Sequence, residues 1–543
     1  MNNIFYKKIE ELFKNKQFET IKFEIDLLEE KDKRNPFLYN ILGIIEATNK
    51  NKDRAKKYFN LAIELDKYYL QSLINLSNLS YIDKDFQNII ELLKIYHLKY
   101  PDNDRVVLIL ADLCFNAGFV EETIYFHKKL IEIGKYQQKD LAALIFLLNY
   151  SDKYSDEEYK KYCEIYDEIL LKNKINYKIS KTAHDIAKIG FLSYDLRDHS
   201  VGYFLKDFVK KLNEKNFKTI AFNLFKFNKD DLFTSDLKNS FTEWYDVSDH
   251  NDKDLSDFIY SKKVHYLIDL AGYSTGNRLQ VFKNKPAPVQ ISWLGYCNDT
   301  HINEIDYIVA DENVVSEKNY ANSKKIIKMP KIWNSLSKLE DVKTNELPFI
   351  KNKIFTFGCF NNFLKISEET IEIWSKILEE FNNSKLVLKN SVSADKNYKK
   401  YLIEKFGNKV DENRIIILNY EKKKKKHLEH YLNIDLCLDT FPYNGVTTTF
   451  ESLWMGVPVI TLKGDKFISR CGYSINKNAG LNDFIADTKD DYISIALNSV
   501  THNGIEKLKS YRKNLRSKII SSPLFDVQNF SDNFADKLYT IKN

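Results

Sequence analysis

The amino-acid sequence predicts a chain of α followed by α/β class, in which N-terminal α-helical repeats precede two Rossmann-like α/β domains. Three observations predict this order: a 34-residue repeat within residues 37–135, an alternation of short β-rich runs with helical patterns from about residue 186, and a proline-bounded break near Pro330–Pro348 that divides the alternation into two sets. At 543 residues the chain is too long for one hydrophobic core, so two to four domains are expected.

In the helical region, small and apolar residues recur at a spacing of 34. Small residues where two helices cross, with apolar residues on the inward faces, are the signature of tetratricopeptide (TPR) repeats. Pro101 falls at a repeat boundary, where a helix-stopping residue belongs. Such an array is expected to be either a protein-binding surface or a structural cap on the next domain. The marker positions are Leu42/Gly43, Ala55, Phe59 and Ala62, then Leu76/Ser77, Ile89 and Leu93, then Leu110/Ala111.

The α/β region contains two series of predicted strands separated by helices such as Ser367–Glu380 and His427–Asn433. Two such sets predict two parallel sheets facing a cleft, with ligands bound at the carboxyl ends of the strands. The first series is Ile186–Ser193, Thr219–Asn223, Tyr266–Asp269, Gln290–Trp293 and Tyr307–Val309; the second is Ile354–Cys359, Lys385–Lys389, Ile415–Leu418, Leu436–Leu438 and Pro458–Leu462.

Composition excludes several classes of protein. The net charge of +6 arises from 82 basic and 76 acidic residues and does not indicate a nucleic-acid partner. No apolar run is long enough for a membrane span, and the N-terminus has no export signal, so a cytoplasmic protein is expected. The six cysteines form no CxxC pair, which argues against a disulfide framework or a cysteine zinc site.

The segment "LDTFPYNGVTTTFESLWMGVPVITL", residues 438–462, predicts a strand, a loop over Asp439–Gly445 and a helix from Thr447 to Met455. A helix N-terminus favours an anion such as phosphate, and Gly445 would allow close approach of the backbone. The threonines could instead cap the helix without any ligand. Glu451, one turn along, is either solvated or a hydrogen-bond acceptor for ribose hydroxyls.

Two further loops carry candidate chemistry. In "SYDLRDHSVGYFL", residues 193–205, Asp195 and His199 are four apart and can supply a base or proton relay, although a single histidine is more often a cap or packing residue. In "CFNNFLKISEETIEIW", residues 359–374, Lys365 can neutralise a leaving phosphate or be an ordinary surface lysine. His427 has the same two interpretations.

No DxD lies between apolar strands, and neither HExxH nor a cluster of histidines occurs, so helix ends and lysines would have to compensate the charge of a bound phosphate.

Taken together and in this order, these segments resemble the protein O-linked N-acetylglucosamine transferase family and its fucosyl-transferring SPINDLY-like branch. The resemblance also rests on "DLAGYSTGNRLQVFKNKPAPVQISWLGYCNDT" (269–300), "IDYIVAD" (305–311) and "SSPLFD" (521–526). It implies a TPR array fused to a GT-B glycosyltransferase that inverts the configuration at the anomeric carbon of the sugar and needs no metal or other cofactor. The implied division is 1–180 TPR-like repeats, 181–335 the acceptor-side Rossmann-like domain, 336–522 the nucleotide-sugar-binding Rossmann-like domain and 523–543 a C-terminal helix.

The resemblance also implies a role for each candidate residue. Asp195 and His199 match the positions beside the sugar and acceptor, and Lys365 matches the lysine that stabilises the leaving diphosphate. The nucleotide-sugar contacts implied are Leu294 and Gly295 at the sugar, Asn362 near the nucleotide, Lys424 and His427 at the base and uridine end, Gly445, Thr447 and Thr448 at the diphosphate, and Glu451 at the ribose.

Two departures from the family pattern leave substrate choice open. Val446 stands where the animal enzymes have a histidine, and Asn298 and Asp299 replace part of a Pro-Gly-Thr-like turn. The expected donor is UDP-N-acetylglucosamine, with GDP-fucose as the competing donor. The expected partner is a protein or peptide acceptor held at the TPR and catalytic cleft, with no nucleic acid and no membrane. The alternative hypotheses for the function are an Asn-directed glycosyltransferase and a non-catalytic repeat scaffold.

Overall fold

The structure is a computed structural model and describes residues 3–178, 186–227, 231–316, 325–389, 396–407 and 410–542. The chain forms two compact units: one comprises Met1–Tyr136 with Asp395–Lys400, and the larger one comprises Gln137–Ala394 and Tyr401–Asn543. The boundary expected at residues 180/181 lies outside the described residues.

The first unit is all α-helical. Helices α4, α6 and α8 begin at Pro36, Leu70 and Asp104, a spacing of 34 that confirms the predicted period. Asn35 and Asn103 cap α4 and α8, each accepting a backbone N–H with its side chain. The helices of this unit are α1 Asn3–Lys14, α2 Phe18–Asp26, α3 Glu30–Lys33, α4 Pro36–Thr48, α5 Lys52–Leu65, α6 Leu70–Asp83, α7 Gln87–Lys99, α8 Asp104–Ala117 and α9 Val120–Glu132.

The repeat markers are buried where successive helices cross. A Cβ added at Gly43 would lie 2.4 Å from the Phe59 ring, so α4 and α5 approach closely only because residue 43 has no side chain. Ala55, Ala62 and Leu110 are fully buried, which explains why small and apolar residues recur at these positions. Pro101 lies in the turn between α7 and α8.

The second unit starts with two more helices, α10 Gln138–Leu147 and α11 Asp156–Lys172, joined by a 3₁₀ turn over Leu148–Tyr150. A parallel sheet follows, in the order β3-β2-β1-β4-β5-β6-β7. Its strands are β1 Ala187–Ser193, β2 Phe217–Asn223, β3 Glu243–Asp246, β4 Tyr266–Asp269, β5 Val289–Ser292, β6 Tyr307–Asp311 and β7 Lys325–Met329. Its helices are α12 Ser200–Asn213, α13 Leu232–Lys238, α14 Asp252–Ser261 and α15 Leu279–Asn284.

The second parallel sheet has the order β10-β9-β8-β11-β12-β13. Its strands are β8 Phe355–Cys359, β9 Ser384–Lys389, β10 Ile415–Leu418, β11 Leu436–Leu438, β12 Val459–Leu462 and β13 Ile485–Ala486. The accompanying helices are α16 Pro348–Asn352, α17 Glu368–Glu380, α18 Lys396–Lys405, α19 Lys424–Glu429, α20 Thr447–Trp454, α21 Cys471–Ala479, α22 Lys489–Ser499, α23 His502–Ile520 and α24 Val527–Lys542.

Both sheets reverse their strand order beside the first strand of the set, between β1 and β4 and between β8 and β11. Ligands of doubly wound folds bind at such switch points, outside the carboxyl ends of the strands. The predicted class, helical repeats followed by two Rossmann-like domains, is therefore confirmed.

The last helix returns to the first sheet. The Tyr266 hydroxyl on β4 donates to the carbonyl of Leu538 on α24 at 2.7 Å. The ring centroids of Phe208 on α12 and Phe534 on α24 lie 5.1 Å apart. In the described part of the chain, no helix is both long and apolar enough to cross a membrane.

Candidate active site

A cavity of about 500 Å³ lies where the carboxyl ends of the two sheets face each other. Loops that follow β1, β4, β5, β8 and β11 supply its walls, which is where the strand order predicts a ligand. Eight of the residues singled out from the sequence line it: Asp195, His199, Leu294, Gly295, Asn362, Lys365, Thr447 and Thr448.

Asp195 and His199 lie together on the first-sheet side. Asp195 follows β1 and its carboxylate Oδ1 lies 3.1 Å from the Arg197 guanidinium and 3.8 Å from Nδ1 of His199. His199 is the N-cap of α12, and its Nδ1 accepts the backbone N–H of Val201 at 3.3 Å. Burial lowers the pKa of His199, opposed by Asp195. The capping interpretation therefore holds for His199, and the residue also faces the cavity.

Leu294 and Gly295 turn the chain tightly after β5. Leu294 has φ +72, a left-handed conformation, and the Gly295 N–H donates to the Trp293 carbonyl at 2.9 Å. A Cβ at Gly295 would lie 1.8 Å from the Leu270 carbonyl oxygen, so no other residue fits there. Both residues of this turn line the cavity.

Lys365 ends a 3₁₀ turn after β8 and is held from the second-sheet side. Its Nζ donates to the Asn444 carbonyl at 2.9 Å and lies 3.7 Å from the centroid of the Tyr443 ring. Burial lowers the pKa of Lys365, although Asp439 opposes this shift. The surface-lysine interpretation is therefore wrong for Lys365, which is a partly buried ammonium in a cavity wall. Asn362, nearby, is exposed and accepts the N–H of Leu364 with its side chain.

Helix α20 points its N-terminus into the cavity. Its N-cap is Val446, which makes no side-chain cap, and no threonine hydroxyl caps the helix. The Thr448 hydroxyl donates instead to Asn361, and the Thr449 hydroxyl donates to the Gly445 carbonyl at 3.1 Å. Capping therefore does not explain the three threonines. The uncapped N–H groups and positive end of the helix remain directed at the cavity.

The loop before α20 is held by Asp439, the residue that follows β11. Its carboxylate accepts the N–H of Gly445 at 2.7 Å, the Asn361 side-chain amide at 3.0 Å and the Thr461 hydroxyl at 2.9 Å. Burial raises the pKa of Asp439 to about 6, while these hydrogen bonds act in the opposite direction. A Cβ at Gly445 would meet Asn361 Oδ1 at 2.6 Å, so glycine is required for this close packing.

Glu451 belongs to a second cluster, one turn along α20. It is 3% exposed, pairs with the Lys424 ammonium, and its Oε2 lies 2.9 Å from Nε2 of His427. The Nδ1 of His427 is in turn 2.6 Å from the Lys389 ammonium. Burial favours the neutral acid, but the interactions with Lys424 and His427 outweigh it and lower the pKa of Glu451 to about 2. The solvated interpretation of Glu451 is wrong.

The structure thus separates the candidate residues into two neighbouring sets. Lys424, His427 and Glu451 form the charged cluster and Gly445 supports the loop, whereas the eight residues named above line the cavity. The sequence did not single out Asp439 or Tyr443. A polar residue directly after an apolar strand, as in "LCLD", was the signal available for Asp439.

Asn298 and Asp299, the departures after Gly295, face away from the cavity. The Asn298 amide donates to Asn149 Oδ1 at 2.7 Å, and the Asp299 carboxylate accepts the N–H of His301 at 2.7 Å. Val446, the other departure, lines the cavity. Among the described residues, no group of three or more His, Cys, Asp or Glu side chains is placed to hold a metal ion.

Helical repeats followed by two facing Rossmann-like domains, with a cavity at their switch points, define a TPR-containing protein of the GT-B fold. The sequence model of glycosyl transferase family 41 matches residues 153–335 and 341–534. The chain belongs to this family.

Similar proteins come from plants and bacteria. The probable UDP-N-acetylglucosamine–peptide N-acetylglucosaminyltransferase SPINDLY of Hordeum vulgare is 30% identical over 407 residues, covering 71% of this chain and 42% of the relative. The protein SEC of Arabidopsis thaliana, described by the same probable activity, is 28% identical over 374 residues, 66% of this chain and 37% of the relative. The chain thus spans less than half the length of these relatives.

A solved structure of a mutant O-GlcNAc transferase from Thermobaculum terrenum superposes with a TM-score of 0.77 at 23% identity. It covers 95% of this chain and 98% of that one, and supports the same fold.

Proposed function

We propose that this chain is an inverting, metal-independent glycosyltransferase that moves N-acetylglucosamine from UDP-N-acetylglucosamine to serine or threonine hydroxyls of proteins. The observation that carries the proposal is the cavity, which joins a partly buried ammonium, an uncapped helix N-terminus and a carboxylate on the opposite wall. Membership of family 41 supports sugar transfer, and the names of the plant relatives support this donor and a peptide acceptor.

In the proposed complex the donor spans both sets of residues. The base and ribose would lie against Lys424, His427 and Glu451, where a buried carboxylate can accept ribose hydroxyls. The diphosphate would lie at the start of α20, near Thr447 and Thr448. Main-chain N–H groups and the helix dipole stabilise an anion at such a position.

The sugar would then reach the turn at Leu294 and Gly295, which line the cavity. Asn362 lines the cavity from the second-sheet side and would lie near the nucleotide. This order of contacts is supported by the positions of the residues around one cavity and its neighbouring cluster.

The chemistry proposed is a single in-line displacement. The acceptor hydroxyl oxygen bonds to the anomeric carbon as the bond from that carbon to the diphosphate oxygen breaks, which inverts the configuration. Asp195 is favoured to take the hydroxyl proton, because Nδ1 of His199 already accepts the Val201 N–H. His199 would orient the acceptor or the carboxylate. Lys365 and the N-terminus of α20 would stabilise the charge on the departing diphosphate.

Thermal-shift titration with UDP, GDP and their sugar derivatives tests the donor. Stabilisation by UDP and UDP-N-acetylglucosamine is expected, with transfer to a co-expressed acceptor detected as a mass increase of one N-acetylhexosamine. Stabilisation by GDP and GDP-fucose instead would favour a protein O-fucosyltransferase. Transfer to asparagine would favour the Asn-directed alternative, and no response to any nucleotide would favour a non-catalytic scaffold.

A further inference from the structure

The segment Tyr296–Asp299 is fixed from outside the cavity by the helical segment that precedes the first sheet. Leu294, Gly295 and Cys297 line the cavity, whereas Tyr296, Asn298 and Asp299 bond to the turn between α10 and α11 or to α11 itself. Within this one loop, some residues face the cavity and their neighbours bond to the helices. The position of the cavity-facing residues therefore depends on the hydrogen bonds that their neighbours make to the helices.

The hydrogen bonds form a closed circuit. The Asn298 amide donates to Asn149 Oδ1 at 2.7 Å, and the Asn149 amide donates to the Tyr296 hydroxyl at 3.0 Å. The hydroxyls of Tyr296 and Tyr159 lie 2.7 Å apart, and Tyr159 donates to the Asp299 carbonyl at 2.7 Å. The circuit thus leaves the loop at residue 298 and returns to it at residue 299.

The direction of each bond follows from counting protons. Tyr159 has one hydroxyl proton, which it gives to the Asp299 carbonyl, so Tyr296 must be the donor between the two hydroxyls. Tyr296 is then an acceptor for Asn149, whose amide nitrogen also lies 3.1 Å from the carbonyls of Ile145 and Phe146; the nitrogen, and not the oxygen, of the amide must therefore face these acceptors. Every member therefore has one orientation that satisfies its partners.

Apart from the half-buried Asn298, the members of the circuit are shielded from water, which makes each bond lost among them costly. Asn149, Tyr159, Tyr296 and Asp299 are between 3% and 5% exposed. Burial also keeps the pKa of Tyr159 and of Tyr296 well above the ordinary value, so both hydroxyls stay protonated. Gly272, at φ +53, leaves space for the Tyr296 ring, which would lie 2.3 Å from a Cβ there.

We propose that Asn149 and Tyr159 are positioning residues for the sugar end of the cavity, acting through Tyr296, Asn298 and Asp299 on the turn at Leu294 and Gly295. The inference rests on the proposed function, because it assigns that turn to the sugar. It also gives the Asn298 side chain a purpose in this chain: its amide joins the loop to Asn149 instead of contacting the sugar.

The test compares Asn149→Ala and Tyr159→Phe with Tyr162→Phe, a control with the same chemical change on the same helix but outside the circuit. The full-length chain is titrated calorimetrically with UDP and with UDP-N-acetylglucosamine. Loss of one buried hydrogen bond is expected to weaken sugar-nucleotide binding by about five- to tenfold. UDP affinity is expected to stay within about twofold, because UDP does not reach the turn. Equal weakening of both ligands, or of neither, would overturn the proposal.

Hydrogen exchange of the peptide covering residues 293–300 separates this proposal from the proposed function. Faster exchange is expected in the two circuit variants and not in Tyr162→Phe, whether or not a donor binds. Unchanged exchange in all three would refute the positioning role. A wild-type chain that binds no sugar nucleotide, but whose circuit variants exchange faster, would refute the proposed function alone.

Discussion

Replacing Lys365 with methionine is expected to remove sugar transfer without unfolding the protein. Methionine keeps the unbranched stem but loses the ammonium, which donates to the Asn444 carbonyl and lies against the Tyr443 ring. Burial lowers the pKa of Lys365, which means that the folded protein disfavours its charged form relative to water. Removing that charge offsets the lost hydrogen bond, so unfolding free energy should change by no more than about 1 kcal/mol.

The effect on turnover should be much larger. In the proposed mechanism Lys365 acts where negative charge develops on the leaving diphosphate, and removing one such preorganised donor typically costs about 10²–10³ in rate, or about 3–4 kcal/mol. Initial rates of donor consumption, with product identified by intact mass, measure the loss, and thermal melts measure stability. UDP binding should weaken less than turnover, because charge on the diphosphate is greatest during departure.

Lys376→Met on α17 is the matched control, since this lysine is 46% exposed and pairs with Glu372 at 3.0 Å on the surface. The turnover rate and the melting temperature of Lys376→Met should both match those of the wild type. The reasoning about Lys365 is refuted by a Lys365→Met variant that keeps more than about a tenth of the wild-type rate, or by one that melts far below wild type.

Three other substitutions test separate parts of the structure. Glu451→Gln should lower the free energy of unfolding by about 3 kcal/mol at neutral pH, because the fold holds the pKa of Glu451 at about 2 against an ordinary value of 4.5. This contribution is present above about pH 4.5 and is lost as the pH falls toward 2. Urea denaturation curves of variant and wild type should therefore converge over that pH range. Gly445→Ala should weaken UDP binding in a calorimetric titration, because its Cβ would displace Asn361 from a distance of 2.6 Å. Gly43→Val should destabilise the repeat unit by about 1–3 kcal/mol, seen as a lower melting temperature, because the new side chain would overlap Phe59.

The three strands that the sequence analysis did not predict, β3, β7 and β13, share one physical property. Strands β3 and β7 lie at the two ends of the first sheet, and β13 lies at one end of the second. An edge strand has a neighbour on one side only, so it carries less apolar sequence; in β3 three residues are half-buried and one is exposed. The central strands β4 and β11 begin and end where their apolar runs predict, and so does β10, an edge strand whose sequence is an uninterrupted apolar run.

The resemblance to family 41 and the strand order together placed most of the candidate residues, because each follows a strand whose carboxyl end meets the same cavity. Local sequence patterns alone left two interpretations open for several residues. For the threonines of α20 the sequence left capping and ligand binding open, since both require a hydroxyl at a helix start. The structure decided against capping, because the N-cap position is Val446 and the Thr448 and Thr449 hydroxyls donate to Asn361 and to the Gly445 carbonyl.

What the sequence determined by itself is what depends on near neighbours: the 34-residue helical period, with its small residue at Gly43, and the apolar central strands. What only the tertiary structure decided is which distant side chains meet. Asn149 reaches Tyr296 across 147 positions and Lys365 reaches Asn444 across 79. Such pairs arise from the packing of whole helices and sheets, and no local pattern of hydrophobicity or turn residues encodes them.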